Sequence, residues 1–542
     1  MLQMFSRVRM ATALTLLVVL CWLGMVCPAS GASRVIPMPV SIELGEGDFL
    51  LTPETWIVAS GPAWIEAAKL IDALTPATGF VLRASASRPA DAPTIALSLK
   101  GDVAELGEEG YRLRVTREGV TMTAPKPAGL FYAIQTFLQL MPPAIFSEIA
   151  VDDVTWKAPC VTIIDKPRFR WRGLLLDPAR HFIPVPTVKR FIDIMAAHKF
   201  NRLQIHLTDN EGWRVEIRKY PTLTESGSQM DWNLRWRGGT GPRCFGFYTQ
   251  DEIREIVRYA ADRYITIVPE IEMPFHTGAA IVAYPELGIN PGSLGALPVG
   301  QRWYKTRGLI APRPRTVEFL QDVLTEVLEL FPGEAIHIGG DEANIGHWAN
   351  DPEMQAQIKR LKLKDAHELH SWFIKQMDAF LTEQGRRLVG WDEILQGGLA
   401  PGATVMSWRG EQGGIAAANA GHDVVMAPTS HTYFDYYQGS PESEPLAIGG
   451  NLPLAKVYSY DPIPAEIAPD KAKHVLGVQG QLWGEYIPTA EHLDYMAYPR
   501  AAALAEVGWS AKDAKDYENF SVRLQCHLER LDAMGVNYRP LD

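Results

Sequence analysis

The sequence predicts an α/β fold: a (β/α)8 barrel of the TIM type, preceded by a small α+β domain. Three observations carry this expectation. From about Phe169 onward, short apolar runs alternate with amphipathic helical stretches, the pattern of βα units wound around a parallel sheet. Eight runs of strand length can be placed there, at 172–176, 202–207, 265–270, 335–338, 387–390, 404–407, 423–426 and 474–479. Polar and aromatic residues recur at or just past their ends: Asp177, Asp209, Glu270, Asp341, Glu342, Trp391, Trp408, Tyr433, Asp435, Trp483 and Glu485. That is the barrel face on which pockets are built.

Each element follows from a local pattern. Residues 1–32 read as a processing segment: Arg7 and Arg9 precede an apolar run over 11–26, and Ser30, Gly31 and Ala32 offer a cleavage site. The run is short for a stable membrane span, so an exported chain, periplasmic or secreted, is expected, with an uncleaved anchor as the alternative. Residues 33–166 form the α+β domain. A strand is expected over 94–99, and Tyr111, Leu113 and Val115 alternate with polar residues. After a turn at Glu118-Gly119, a second alternation over 120–123 completes a hairpin. Leu130, Ile134, Phe137, Leu138 and Met141 then fall at helical spacing and end at Pro142-Pro143, so a helix should cover one sheet face. The barrel is assigned to 167–542. It closes with a helix from about Asp516, where Phe520, Leu524, Leu528 and Leu531 keep the helical period.

At 542 residues the chain has length for two or three units with sizeable cores. Its 47% hydrophobic and 21% charged residues are those of a globular protein, and a net charge of −11 argues against sequence-independent binding of nucleic acid. Cys21 and Cys27 would leave with the leader; Cys160, Cys244 and Cys526 then allow at most one disulfide and lack zinc spacing. A metal-dependent hydrolase would want clustered ligands, and no His-x-His or His-Glu-x-x-His run occurs, so no metal or cofactor is expected.

Carboxylates and indoles at one barrel mouth suit sugar handling. Flat apolar sugar faces stack on indole, hydroxyls pair with carboxylates and Arg, and glycosidic cleavage needs an acid to protonate the leaving oxygen. Fifteen Trp residues are present, several beside Gly, Asp or Glu rather than inside apolar runs. The sharpest local signal is Ile336-His337-Ile338-Gly339-Gly340-Asp341-Glu342-Ala343. Two glycines let the backbone turn closely, and two adjacent carboxylates cannot easily straddle one bond as a double-displacement pair must. One acid and one orienting group is the more natural division. A carbohydrate-binding protein on a decayed scaffold is the alternative, though a pure binder has no use for a proton donor.

These motifs carry a resemblance that spans nearly all of the chain after the leader. Gly129-Leu130-Phe131-Tyr132-Ala133-Ile134-Gln135-Thr136, Arg172-Gly173-Leu174-Leu175-Leu176-Asp177, Ala179-Arg180-His181-Phe182 and His206-Leu207-Thr208-Asp209 come first. Pro269-Glu270-Ile271-Glu272-Met273-Pro274 with His276, the Gly-Gly-Asp-Glu run and Gly390-Trp391-Asp392-Glu393 follow. In this order they resemble the family 20 glycoside hydrolases, the β-N-acetylhexosaminidases, a substrate-assisted exception to the two-carboxylate scheme.

The resemblance implies a retaining, exo-acting enzyme that takes terminal β-linked N-acetylglucosamine or N-acetylgalactosamine from oligosaccharides and glycoconjugates through an oxazolinium intermediate. It implies Glu342 as general acid/base, Asp341 as the carboxylate that orients the acetamide, and Tyr433 as the hydroxyl that holds the acetamide oxygen. Trp391, Trp408 and Trp483 would enclose the acetamide methyl, and Arg172, Asp435 and Glu485 would bind hydroxyls of the terminal sugar. Asp209 and His276 would hold and tune the acid. Asp177 and Arg180 are expected to pair with each other and shape the mouth, and His206 and His337 to be core or packing residues. Three positions depart from the family pattern: Phe275 where Gly is expected, Asn210 where a second Asp is common, and Ile205 where Trp is common.

Overall fold

The computed structural model describes residues 34–89, 92–229, 245–303 and 305–541; the expected leader lies outside them. The first part of the described chain builds a seven-stranded sheet. Its strands are β1 (Ser41–Leu50), β2 (Trp56–Val58), β3 (Arg83–Ser85), β4 (Thr94–Leu99), β5 (Tyr111–Thr116), β6 (Gly119–Ala124) and β7 (Lys157–Asp165), in the order β1-β7-β5-β6-β4-β2-β3. The expected hairpin is β5–β6, where Leu113 pairs with Met122 and Val115 with Val120. Alternation buries Tyr111, Leu113, Val115, Val120 and Met122. Helices Ala63–Thr78 and Pro127–Leu140 pack against each other and against the sheet. Strand β1 carries no alternation to read: it is mostly exposed, contains Gly45 and Gly47, and shifts register between Leu44 and Asp48.

Eight parallel strands then close the TIM barrel: β8 (Trp171–Leu176), β9 (Arg202–His206), β10 (Thr266–Glu270), β11 (Ala335–His337), β12 (Arg387–Trp391), β13 (Thr404–Ser407), β14 (Val424–Met426) and β15 (Val475–Leu482), with β15 returning to β8. All eight overlap the strands expected from the sequence. Alternation decides which side chains meet the barrel axis. Trp171, Leu175, Val268, Val389, Trp391, Met406 and Val425 form the inner cluster, while Leu174, Leu176, Leu203, Ile205, Ile267, Ile336, Leu388 and Val424 join the outer core. A polar chain runs through the interior as well. Trp171 Nε1 donates to Gln479 Oε1 at 3.0 Å, Gln479 Nε2 to Gln204 Oε1 at 2.6 Å, and Gln204 Nε2 to Glu270 Oε2 at 2.8 Å. It ends at the C-terminal mouth.

The closing helix is Tyr517–Ala533, capped by Asp516, which accepts from the backbone N–H of Glu518 and Asn519 at 3.0 and 3.2 Å. Its Arg530 donates to the carbonyls of Arg34 and Gln139 at 2.9 and 2.6 Å, and its Arg523 pairs with Glu506 at 2.7 and 2.6 Å. Both ends of the described chain therefore meet at one seam. Cys160 is free and buried, and Cys526 is disulfide-bonded. No described helix is long and apolar enough to cross a membrane.

Candidate active site

Strand β11 ends at His337, and the turn after it carries Asp341 and Glu342. Gly339 and Gly340 sit at φ of 69° and 94°, and Glu342 itself at 48°. A Cβ on Gly339 would collide with the Glu272 carboxyl, so only glycine fits above that group. The adjacent acids separate in environment: the Asp341 side chain is 13% exposed and that of Glu342 is 53% exposed. One points into the protein and the other into the opening.

His276, at φ of 53°, ties this pair to β9. Its Nε2 lies 3.2 Å from Glu342 Oε2 and 3.8 Å from Asp341 Oδ2, and its Nδ1 lies 3.1 Å from Asp209 Oδ1. Burial opposes a charge on His276, but Asp209, Glu342 and Asp341 outweigh it and hold the ring well above the usual histidine range. The hydrogen bond from His276 in turn lowers Glu342, whereas burial raises Asp341. Phe275 packs edge-on to His276 with centroids 4.6 Å apart, and the Asn210 amide lies 3.3 Å from Nδ1. These two departures flank the histidine and leave its contacts to Asp209 and Glu342 in place.

Beneath lies a buried polar support. Glu270 lies 2.7 Å from His206 Nδ1 and 3.0 Å from His337 Nδ1, and accepts from Trp391 Nε1 at 2.9 Å. His206 Nε2 reaches Asp209 Oδ2 at 2.8 Å. Burial works against charging His206, yet Glu270 and Asp209 push its pKa up to about 10. Glu272 goes the other way: burial, then Asp341 and Glu270, drive it well above the carboxylate range, so it is the neutral acid under the Gly339 turn. Two donor sets, His206–Glu270–Glu272 and His276–Asp341–Glu342, have ligand atoms within 4.8 Å of one another.

The opposite wall is built by the loops after β8, β12, β13, β14 and β15. Arg180 is buried among four acids, at 2.8 Å from Asp177, 2.8 Å from Asp209, 3.3 Å from Glu211 and 3.6 Å from Glu485. Burial, then the charge of Glu485, pushes Asp435 well above its usual range; burial likewise raises Glu485, against the pull of Arg180. Trp391 and Trp483 lie 5.7 Å apart, and Trp408 stacks on Tyr433 at 6.2 Å. Trp408 Nε1 is anchored by Glu393 at 2.9 Å, a carboxyl that burial and then Asp341 raise to about 7. Buried oxygens without a hydrogen-bond partner include Asp435 Oδ1 and Glu485 Oε2 on this wall and Asp341 Oδ1 on the β11 turn. Each such atom costs roughly 1–3 kcal/mol, a cost that donors of a bound ligand would relieve.

Residues 169–512 match the family described as glycosyl hydrolase family 20, catalytic domain, and residues 32–166 match glycosyl hydrolase family 20, domain 2. The chain belongs to glycosyl hydrolase family 20. This family 20 chain is 44% identical over 508 residues to a β-hexosaminidase of Porphyromonas gingivalis, covering 93% of this chain and 64% of that protein's length. It is 36% identical over 501 residues to a β-hexosaminidase of Vibrio furnissii, covering 90% and 78%. A crystal structure of an exo-β-N-acetylglucosaminidase from Vibrio harveyi in complex with N-acetylglucosamine superposes with a TM-score of 0.83 at 35% identity, covering 95% of this chain and 79% of that one. A β-N-acetylhexosaminidase from Streptomyces coelicolor A3(2) does so with 0.82 at 34%, covering 94% and 98%.

The family 20 barrel brings every expected site residue to the mouth except Arg172. That residue lies near the start of β8, at the far end of the barrel, and faces outward because its neighbours Trp171 and Leu175 face inward. Its guanidinium donates to Glu109 of the smaller domain at 2.7 and 3.1 Å and to the Phe169 carbonyl at 2.7 Å. The mouth arginine is Arg180, whose pairing with Asp177 was expected but whose reach to Asp209 and Glu485 was not. His206 and His337, expected only to pack, lie in the support under the acids. Strand parity was the signal available for both corrections: it turns Arg172 away from the axis and His206 and His337 toward it.

Proposed function

We propose that this protein is an exo-acting β-N-acetylhexosaminidase that removes terminal β-linked N-acetylglucosamine or N-acetylgalactosamine with retention of configuration, the substrate's own acetamide oxygen being the nucleophile. The observation that carries the reading is the set of partnerless buried oxygens on Asp341, Asp435 and Glu485 beside the indoles, with Glu342 open to solvent next to them. Asp435, Glu485 and Arg180 take hydroxyls of the terminal sugar. Trp391, Trp408 and Trp483 enclose the acetamide methyl, Tyr433 donates to the acetamide oxygen, and Asp341 accepts the acetamide N–H. That oxygen attacks the anomeric carbon as the glycosidic C–O bond breaks and Glu342 gives its proton to the leaving oxygen. Asp341 balances the positive oxazolinium. Water, deprotonated by Glu342, then adds from the face the leaving group vacated, which restores the starting configuration.

Glu342 must hold a proton when the sugar is seated. In the empty site its bond from His276 favours the carboxylate; a bound sugar strips water from its exposed half, and desolvation raises a carboxyl. Asp209 and His276 set the balance between these states. The names of the relatives, β-hexosaminidases and an exo-β-N-acetylglucosaminidase, support the same reading. Export through the leader at 1–32 belongs to the proposal, as does a glycan substrate handled without a cofactor or nucleic acid.

The test is a substrate pair and a ligand. A 4-nitrophenyl N-acetyl-β-glucosaminide should be hydrolysed, its 2-hydroxyl analogue should be nearly inert, and a thiazoline mimic of the bicyclic ion should bind far more tightly than substrate. A covalent glycosyl-enzyme trapped by a 2-fluoro sugar would overturn the acetamide nucleophile.

A further inference from the structure

We infer that Arg307 and His347 form a subsite for an anionic sugar directly beyond the scissile bond, so that favoured substrates carry a carboxylate or sulfate ester on the residue next to the terminal N-acetylhexosamine. This rests on the function proposed above and adds the chemistry of the leaving group.

The first observation is in the sequence. In a chain of net charge −11, residues 287–317 contain no Asp or Glu and five basic residues, Arg302, Lys305, Arg307, Arg313 and Arg315. Two of these are committed elsewhere. Arg302 donates to the carbonyls of Leu297 and Val282, both at 3.0 Å, and Arg313 pairs with Glu353 at 2.7 and 2.8 Å. Arg307 is exposed and donates to His347 Nδ1 at 2.8 Å, and among the described residues no carboxylate comes within ion-pair distance of it.

The second observation is position. Gly308, next to Arg307, is fixed beside the acid's partner: its carbonyl accepts from Thr277 N–H and Oγ1 at 3.1 and 2.9 Å, and a Cβ on it would collide with Asn210. Thr277 follows His276, whose Nε2 lies 3.2 Å from Glu342. His347 lies in the short helix Gly346–Ala349, just past Glu342. The Arg307–His347 bond therefore joins the loop after β10, which carries His276, to the loop after β11, which carries Glu342. The terminal sugar lies among the indoles, Asp435 and Glu485. Glu342 stands at the bond that breaks, and the subsite seats the leaving sugar against Arg307 and His347, on the two loops that carry His276 and Glu342.

The third observation is charge. A ring nitrogen that accepts from a guanidinium carries no proton, so His347 leaves Arg307's charge uncancelled and presents Nε2–H as a second donor. The planar fork of Arg307 matches the paired oxygens of carboxylate or sulfate.

The test compares kcat/KM of the full chain on three disaccharides with N-acetyl-β-glucosamine at the non-reducing end: one on glucuronic acid, one on a 6-sulfated hexose and one on neutral glucose. The wild type should favour an anionic disaccharide over the neutral one by roughly tenfold, the size of one charge-assisted hydrogen bond, and the preference should shrink as salt rises. The arm with the larger ratio identifies the anion. In Arg307→Gln the anionic-to-neutral ratio should fall to about one. A wild-type ratio near one, or a ratio unchanged by Arg307→Gln, would sink the subsite. Failure of the wild type to cleave even the 4-nitrophenyl N-acetyl-β-glucosaminide would sink the proposed function instead.

Discussion

At the scale of single residues, the adjacent acids of the β11 turn are chemically unequal because the backbone makes them so. The left-handed conformation of Glu342 turns its side chain toward the opening, while burial keeps Asp341 inside. A proton donor needs access to a leaving group; a group that orients an amide needs a dry, fixed position. Glu342→Gln keeps shape and removes the transferable proton, so kcat should fall by roughly 10²–10⁴ on substrates with poor leaving groups. Aryl glycosides of acidic phenols need little protonation and should lose much less. A steady-state series over leaving groups checks this, and uniform losses would remove Glu342 from the role of acid.

At the scale of elements, Arg172 ties the barrel to the smaller domain. Both its Nη atoms bond Glu109, and Asn201 Nδ2 donates to the same carboxylate at 3.1 Å. Arg172→Met leaves Glu109 without its cation, which should cost about 3 kcal/mol and lower the thermal midpoint, with kcat at low temperature little altered. An unchanged midpoint with a large loss of kcat would put Arg172 at the sugar after all. The eight barrel strands were legible because each is a short apolar run followed by the polar residues of the mouth. Strands β1 and β7 were not: β1 is an exposed edge strand with two glycines, and β7 leads straight into the run before the barrel. The acids and indoles of the site could be read from motifs. Glu272 and Glu393 could not be given their states, because a carboxyl's protonation depends on neighbours brought from other strands.

At the scale of the whole molecule, acid pH acts through a histidine pair far from the chemistry. His198 Nε2 and His527 Nε2 are 2.8 Å apart and fully buried where the closing helix meets the barrel, beside Tyr498 and Arg530. Burial, then Arg530, lowers His198 to about 4, and burial, then His198 and Arg530, lowers His527 as well. The unfolded chain binds protons near pH 6.5 that the native pair refuses. Stability is therefore complete above about 6.5 and is lost as pH falls through 4, by roughly 3 kcal/mol from His198 alone. His206 has the opposite sign: its raised pKa stabilises the fold below about 6.5 and ceases to do so as pH rises through 10. Urea midpoints measured across pH should peak between these limits, and His527→Gln should flatten the acid side. A midpoint that stays level from pH 7 to pH 4.5 would remove the histidine pair from that role.

The acids of the mouth carry one consequence more. Burial, and then neighbouring acids, hold Glu272 and Asp435 well above the usual carboxylate range, and burial raises Glu485 as well. The pocket is therefore a proton store that waits for a cation. An uncharged sugar leaves the store full, whereas a cationic intermediate, or an imino-sugar whose ring nitrogen is charged, supplies the missing counter-charge and lets protons go. Selectivity for the cation over the sugar it came from is in this way set in the resting protein, before any bond is strained.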